Sequence, residues 1–496
     1  MRIFQRGSLI VRPARSRVEI ADGNSTTAIR LSPIRPHLLV ELMTLAAAWE
    51  RFIGNDWVPI DCPQRVAETY LARDGAWNVP VLAGIVNCPV LRPDGSILET
   101  AGYDPATGLL YDPQRMKFNP VPESPDKEDA LRALGVLKDL LSTFPFVTDA
   151  DRSVALSGIL TAVHRRSLPT APAHCLTAPV AGSGKSMIVD ICSEIADGRR
   201  AAVMSLGRTD EEAEKRLGSA LIAGDSIVSI DNIDRPFGGE LFCQALTQTM
   251  LKIRILGFSK IVEVPSNAFI LANGNNLTLE GDMTRRAVMC TMDPGVERPE
   301  TRVFNRDPLA MVRADRDKYV IAALTILRAF HVAGTPLQRD PLGSFVEWSN
   351  WVRGALIWLG EADPCDTMEK VRQNDPKLGA IIAVISQWAE VVGYDVRITT
   401  KDLIDYAIEK VGEGYPSYSR EFAHPELREA LLIVAGDGGA ISGRRLGIWL
   451  GGNENRLVQG CKIVRDGERG GVSMWKLQSA GETSKPTEKR SIRSNF

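Results

Sequence analysis

At 496 residues, 44% hydrophobic and 24% charged, the chain can hold about three or four domains with sizeable cores, which excludes a wholly disordered protein. A formal net charge of -2 excludes a globally basic nucleic-acid binder, so any phosphate contact must come from local patches. Eight single Cys with no Cys-x-x-Cys pair and five scattered His argue against a zinc site and for reduced thiols.

Residues 1–30 alternate weakly and read as short strands before the break at Pro33 to Pro36. The start shows no signal-peptide pattern, because Arg2, Arg6, Arg12 and Arg15 interrupt it. No apolar run approaches the ~20 residues needed to span a membrane. His37 to Phe52 is apolar at helical spacing and predicts an amphipathic helix, followed by a second near Gln64 to Arg73. The stretch from Val79 to Tyr111 is turn-rich. Asp94, Asp104 and Asp112 each adjoin Pro or Gly and read as turn residues rather than paired catalytic carboxylates. Residues 1–122 are therefore expected to form an α+β accessory domain, and 123–170 a helical linker with helices near Asp126–Ser142 and Asp149–Arg166.

An apolar strand, Cys175 to Ala178, then leads into Pro179-Val180-Ala181-Gly182-Ser183-Gly184-Lys185-Ser186 and a helix-like run from Ser186 to Cys192. Strand, Gly-rich loop, Gly-Lys-Ser and helix make a P-loop. Small residues let backbone N–H groups close around a polyphosphate at a helix N-terminus. Ala181, Gly182, Ser183 and Gly184 would form the cradle; Lys185 would reach the β- and γ-phosphates of ATP, and Ser186 would hold Mg²⁺. Ala178 stands where the motif usually has its first Gly. A strand at Ala201 to Met204 and a helix from Asp210 to Ile222 follow. The apolar run Ser226 to Ile230 ends in Asp231, a Walker B pattern that adds a carboxylate to the Mg²⁺ site.

After a helix near Glu240–Thr249, Lys252 to Pro265 reads as a β-hairpin. It carries Lys252, Arg254 and Lys260, with Phe258 near its tip. Cations beside an aromatic suit single-stranded DNA, yet the same pattern serves a solvated hairpin with gatekeeper charges. The strand Asn267 to Ala272 ends in Asn273, placed to position a water beside the γ-phosphate. Arg285 and Arg286 follow on a loop before the strand Ala287 to Met292.

Residues 306–395 read as a helical domain, with Trp348, Trp351, Trp358 and Trp388 as core residues. Residues 396–479 read as a winged helix-turn-helix: three helices and a β-wing with its turn at Arg465 to Gly471. Between 441 and 476, seven Lys or Arg face three acids, a local net of +4 that includes Arg444 and Arg445 and suits duplex DNA; a role in subunit contacts alone stays open. Residues 480–496 read as a disordered tail.

The arrangement resembles the superfamily 3 helicases of the AAA+ class, in particular the helicase part of primase-helicases from phages and mobile elements. The likeness spans roughly residues 60–477 and is strongest over Ala178–Ser186, Ser226–Asp231, Arg254–Gly257, Leu271–Asn276 and Gly281–Phe304. It implies an α/β fold: a P-loop AAA+ ATPase core over 171–305, a parallel sheet in a three-layer α/β/α sandwich, with the helical domain and winged helix appended. It implies a ring, a hexamer, hydrolysing Mg-ATP at subunit interfaces to move DNA during replication. Asn273 takes the sensor role, and Arg286, with Arg285 second, the arginine finger. Arg254 and Lys260 gain a DNA role by the same likeness. A primase or replication initiator is implied as partner and the cytoplasm of a bacterial or phage-infected cell as the setting, although residues 1–120 supply no primase chemistry. Asn232 stands where many such ATPases place a Glu, and an amide cannot accept a proton from water. Asp234 or Asp231 could substitute as base, or hydrolysis is slow. Two other functions stay open: an ATPase that loads or remodels replication proteins, and an ATP-gated DNA-binding regulator, the second kept open by Asn232.

Overall fold

The computed structural model describes residues 2–19, 25–114, 116–255, 261–299, 306–411 and 421–479. The chain divides into two compact units, Met1–Arg372 and Gln373–Phe496.

The first unit is organised on a five-stranded parallel sheet. Its strands are β1 (Ala173–Ala178), β2 (Val203–Met204), β3 (Ile227–Ile230), β4 (Phe269–Asn275) and β5 (Ala287–Thr291), in the order β2-β3-β4-β1-β5. Strands β1, β3 and β4 are near-continuous apolar runs, the pattern of strands covered on both faces. Because β4 lies between β1 and β3, the carboxyl ends of those three strands lie side by side, the usual place for a ligand in an open α/β sheet.

Helices α1 (Lys127–Leu140), α2 (Asp149–His164) and α3 (Lys185–Asp197) flank the start of the sheet. Both α1 and α2 open with capping boxes, Asp126 with Asp129 and Thr148 with Asp151, which satisfy backbone donors at each helix start. The second Asp151 oxygen accepts from the Thr291 N–H at 2.6 Å, so the cap also ties α2 to the end of β5. Helices α4 (Asp210–Ala223) and α5 (Glu240–Thr247) lie between β2 and β4 in the chain, and α6 (Pro308–Ala314) and α7 (Arg316–Val332) follow β5. Helix α3 packs on α2, α6 and α7.

The N-terminal residues belong to this unit. Phe4–Arg6, Leu9–Glu19 and Ser25–Pro33 form an antiparallel sheet. Arg6 is buried and donates to the Leu221 carbonyl at 2.7 Å; burial lowers its pKa to about 9. The Ser8 N–H donates to Glu263 O at 3.0 Å, and Ser8 Oγ accepts from Glu263 N–H at 2.8 Å. A Cβ on Gly7 would sit 1.9 Å from that carbonyl oxygen, so only glycine permits the approach.

Two histidines sit inside the core. His164 has no hydrogen-bond partner for either ring nitrogen among the described residues, while His174 shares a hydrogen bond with Ser157 at 2.8 Å. Burial lowers both pKa values to about 3. The unfolded chain therefore binds protons first as pH falls below about 6.5, and stability drops between there and pH 3 by about 1.4 kcal/mol per pH unit for each histidine. His164→Phe keeps the ring volume and removes one such group. The stability gap between parent and variant should shift toward the variant by that slope between pH 6 and pH 4, read by urea unfolding; parallel pH curves would refute it.

The second unit has its own core. Helix α8 (Pro376–Val391) packs Ile381, Val384, Ile385 and Trp388 against α9 (Thr400–Ile408), α10 (Pro425–Ala435) and α11 (Gly443–Gly452), together with Trp475 and Leu477. Ile398–Thr399, Val472–Ser479 and Cys461–Arg469 form a three-stranded antiparallel sheet. The break between units thus falls at residue 372 rather than 395, because α8 buries its apolar face in the C-terminal core.

Other expectations shift for local reasons. The helix expected over His37 to Phe52 stops at Ala46. Trp49 Nε1 donates back to Met43 O at 2.8 Å, and Glu50–Ile53 pairs with Asp56–Pro59 as a hairpin whose Phe52 and Trp57 rings are exposed. Within the expected helical domain, the backbone between Val346–Trp348 and Gly354–Trp358 widens to a π segment at Ser349–Arg353. Trp348, Trp351 and Trp388 are buried as expected. Phe258, Lys260, Phe304 and the tail 480–496 lie outside the described residues.

Candidate nucleotide site

The loop between β1 and α3 turns on two glycines with left-handed backbone, Gly182 at φ 75° and Gly184 at φ 98°. A side chain at Gly184 would meet the Phe144 ring at 3.0 Å. The loop borders a cleft of about 360 Å³ at the carboxyl ends of β1, β3 and β4. Ala181 to Ser186 form one wall; Asp231, Asn232, Asn273 and Asn275 form the other.

Lys185 is the centre of the cleft. Its Nζ donates to Asn275 Oδ1 at 2.8 Å, Ser183 Oγ at 3.0 Å and Val180 O at 3.1 Å. All three acceptors are neutral. Burial lowers the lysine pKa, and the more distant Asp231 charge opposes that shift. A cation held by neutral oxygens in a partly desolvated cleft leaves room for an anion to supply the missing charge.

Ser186 Oγ lies 3.5 Å from Asp231 Oδ2, and the other Asp231 oxygen accepts the Asn232 N–H at 2.7 Å. One hydroxyl and one carboxylate suit a magnesium ion that draws its remaining ligands from phosphate and water. Among the described residues there is no cluster of three or more His, Cys, Asp or Glu that could hold a metal alone. Asn232 is exposed and left-handed at φ 55°, a conformation Asn tolerates better than Glu.

Asn273 lies on β4 two residues before Asn275, on the same strand face. It is buried, lines the cleft, and its Nδ2 has no hydrogen-bond partner among the described residues. The contact to Lys185 belongs to Asn275, which sequence reasoning missed. The period of two along β4 was the available signal. Gly274 between them packs so tightly that a Cβ there would sit 2.3 Å from Ile233 O.

The expected finger, Arg286, is turned into its own chain. Its guanidinium donates to Cys243 O at 2.6 Å and Thr247 Oγ1 at 3.2 Å, at the carboxyl end of α5, and to Asp282 at 2.7 Å. A cation near the carboxyl end of a helix is favoured by the helix dipole, which fits the orientation. Arg285 carries the exposed guanidinium of the pair, held in a bidentate contact to Asp282 at 2.5 and 3.0 Å. That contact raises the Arg285 pKa and lowers that of Asp282.

The hairpin Met250–Arg254 with Ile261–Pro265 is inserted between β3 and β4. Leu251, Ile253, Val262 and Val264 face the core; Lys252 and Arg254 face outward, Lys252 lying 3.6 Å from Glu263. In the second unit, Arg444 and Arg445 are exposed at the start of α11. Arg445 pairs with Asp437, Arg465 with Glu454, and Lys476 with Asp395 and Asp466. Asp437 and Asp395, which lie outside residues 441–476, offset part of the local +4, while Arg444 and Arg456 have no ion pair among the described residues.

No protein-family model matches the chain, and no curated protein matches it in sequence. Solved structures similar to it include the apo A form of the NrS-1 C-terminal region, at 13% identity over 90% of this chain and 99% of that one, with a TM-score of 0.34. The NrS-1 C-terminal region spanning 305–718 in its own A form gives 13% identity over 89% of this chain and 99% of that one, with a TM-score of 0.36. JCV helicase with a bound acetamide compound gives 12% identity over 54% of this chain and 72% of that one, with a TM-score of 0.23. Similarity at this level assigns no residue a role; the site rests on its own geometry.

Proposed function

We propose that this protein is an ATP-driven DNA translocase of the ring-forming AAA+ type, with an AAA+ P-loop core in its first unit and a winged helix in its second. The observation that carries the reading is the convergence of Lys185, Ser186, Asp231, Asn273 and Asn275 on one cleft at the strand ends. Lys185 binds the triphosphate, and the P-loop N–H groups close around it. Ser186 and Asp231 hold Mg²⁺, which would neutralise charge on the β- and γ-phosphates. Asn273, with its free amide N–H, orients the attacking water. Arg285 from a neighbouring subunit completes the pocket and stabilises charge in the transition state. The outward cations of the hairpin track single-stranded DNA, while α11 and its exposed Arg444 contact duplex phosphates.

One observation favours a slower enzyme: Asn232 gives the water no carboxylate base, which suits a regulator whose assembly is set by bound ATP. A forked duplex separates the readings. We expect DNA to stimulate ATP hydrolysis and the protein to displace the annealed strand. Arg254→Ala should keep hydrolysis and lose at least about tenfold in displacement, the scale of one or two lost phosphate contacts at moderate salt. Hydrolysis with no displacement at any DNA geometry would leave the loader; ATP binding without hydrolysis would leave the regulator.

A further inference from the structure

We infer that Asn275 is a placeholder for the nucleotide: its side-chain oxygen takes one donor of the Lys185 ammonium in the empty cleft, and a triphosphate has to displace it. This deepens the P-loop reading and rests on it. An ammonium has three N–H donors. All three are taken, by Asn275 Oδ1 at 2.8 Å, Ser183 Oγ at 3.0 Å and Val180 O at 3.1 Å. The charge is unmatched, because the three acceptors are neutral, yet no N–H is left over for a phosphate oxygen. A phosphate that gains one takes it from one of these three.

The contact that yields is the one to Asn275. Val180 and Ser183 lie on the same loop as the lysine, and Ser183 Oγ also donates to Val180 O at 3.0 Å, so these two form one local unit with it. Asn275 reaches Lys185 from the facing wall of the cleft, across the space a triphosphate would enter. Its release needs only a side-chain rotation. Asn275 is exposed at the end of β4, and the backbone after it is pinned to β1: Ala178 O accepts from the Asn276 N–H at 3.0 Å, and Thr177 Oγ1 accepts from the Leu277 N–H at 2.9 Å. An exposed amide that turns away regains its hydrogen bonds from water, so the displacement leaves no buried polar group unpaired.

The energetics have a definite sign. The Asn275 contact stabilises the empty site and is absent from the filled one, so it is subtracted from the affinity for phosphate. A hydrogen bond to a charged group is stronger than one between neutral groups, and its removal is worth about tenfold in binding. A carboxylate at the same position would match the charge of the ammonium as well as its donor, hold it harder and repel the incoming anion. A residue that merely braced β4 would behave differently: its loss would lower stability and affinity together, or stability alone.

The test is calorimetric titration of the full chain in Mg²⁺ with inorganic tripolyphosphate and with ATP, beside the melting temperature of the ligand-free protein. Asn275→Ala should bind both ligands about tenfold more tightly than the parent, while its ligand-free melting temperature falls by about 1 to 2 °C. Asn275→Asp, which keeps the side-chain volume, should do the reverse: a melting temperature higher by a similar amount, and binding weaker by about thirtyfold or more. The placeholder acts at the phosphate end, so tripolyphosphate and ATP should shift by the same factor. Tripolyphosphate binding to Asn275→Ala that is unchanged or weaker would overturn the inference. So would unchanged binding to Asn275→Asp, the variant that decides the matter if alanine disturbs the strand. Failure of both ligands to bind the parent would instead remove the P-loop reading, and this inference with it.

Discussion

Lys185→Ala is expected to abolish nucleotide binding and to lower hydrolysis by at least about a thousandfold. The lysine is the one cation among three neutral acceptors, Asn275, Ser183 and Val180, and burial lowers its pKa. In the empty cleft that ammonium costs the protein something; with a triphosphate bound, the cost becomes attraction. Removing it should therefore leave the thermal stability of the nucleotide-free protein unchanged or slightly higher. What should vanish is the gain on adding Mg-ATP, about 2.7 kcal/mol at a hundredfold excess over Kd. Lys185→Arg should fail as well, because a planar guanidinium with five donors does not fit a cage built for a compact ammonium. Differential scanning fluorimetry with and without Mg-ATP, beside a phosphate-release assay, checks both halves. A Lys185→Ala protein that still shows the full ATP-induced shift would place the nucleotide elsewhere.

The features legible in the sequence are those in which backbone chemistry leaves little choice. Gly182 and Gly184 occupy left-handed positions that other residues avoid, and they fall between an apolar strand and an apolar helix. The hairpin alternates strictly, so its buried and outward residues could be assigned before any coordinates. What stayed hidden depends on where neighbouring residues point. Asn273 and Asn275 share a strand face, and only the position of Lys185 in space gives the contact to the second. Arg285 and Arg286 are adjacent, and the Cys243 carbonyl in the last turns of a helix, distant in sequence, turns Arg286 inward. Ala46, Ala47 and Ala48 carry high helix propensity, yet the Trp49 indole folds back to end the helix there.

Two inactive variants, Lys185→Ala and Arg285→Ala, are expected to regain activity when assembled together. Arg285 is the exposed guanidinium, its hydrogen bonds among the described residues going to Asp282 on the same turn, so it can be offered to another subunit. Arg285→Ala alone should still bind ATP and should lose about 10³-fold or more in turnover, the scale of a missing arginine finger. In a head-to-tail ring each site joins the P-loop of one subunit to the guanidinium of the next. Random mixing of the two variants then makes intact sites at roughly one interface in four, so hydrolysis should return to about a quarter of the parent rate per site. Arg286→Ala behaves differently: its guanidinium holds Cys243 O and Thr247 within the chain, so its loss lowers thermal stability and gives no complementation with Lys185→Ala beyond that effect. Mixed assemblies that form, by size and by ATP binding, yet stay inactive would show that no site is shared between subunits. Recovery can arise only where the triphosphate grip and the completing guanidinium belong to different copies of the chain.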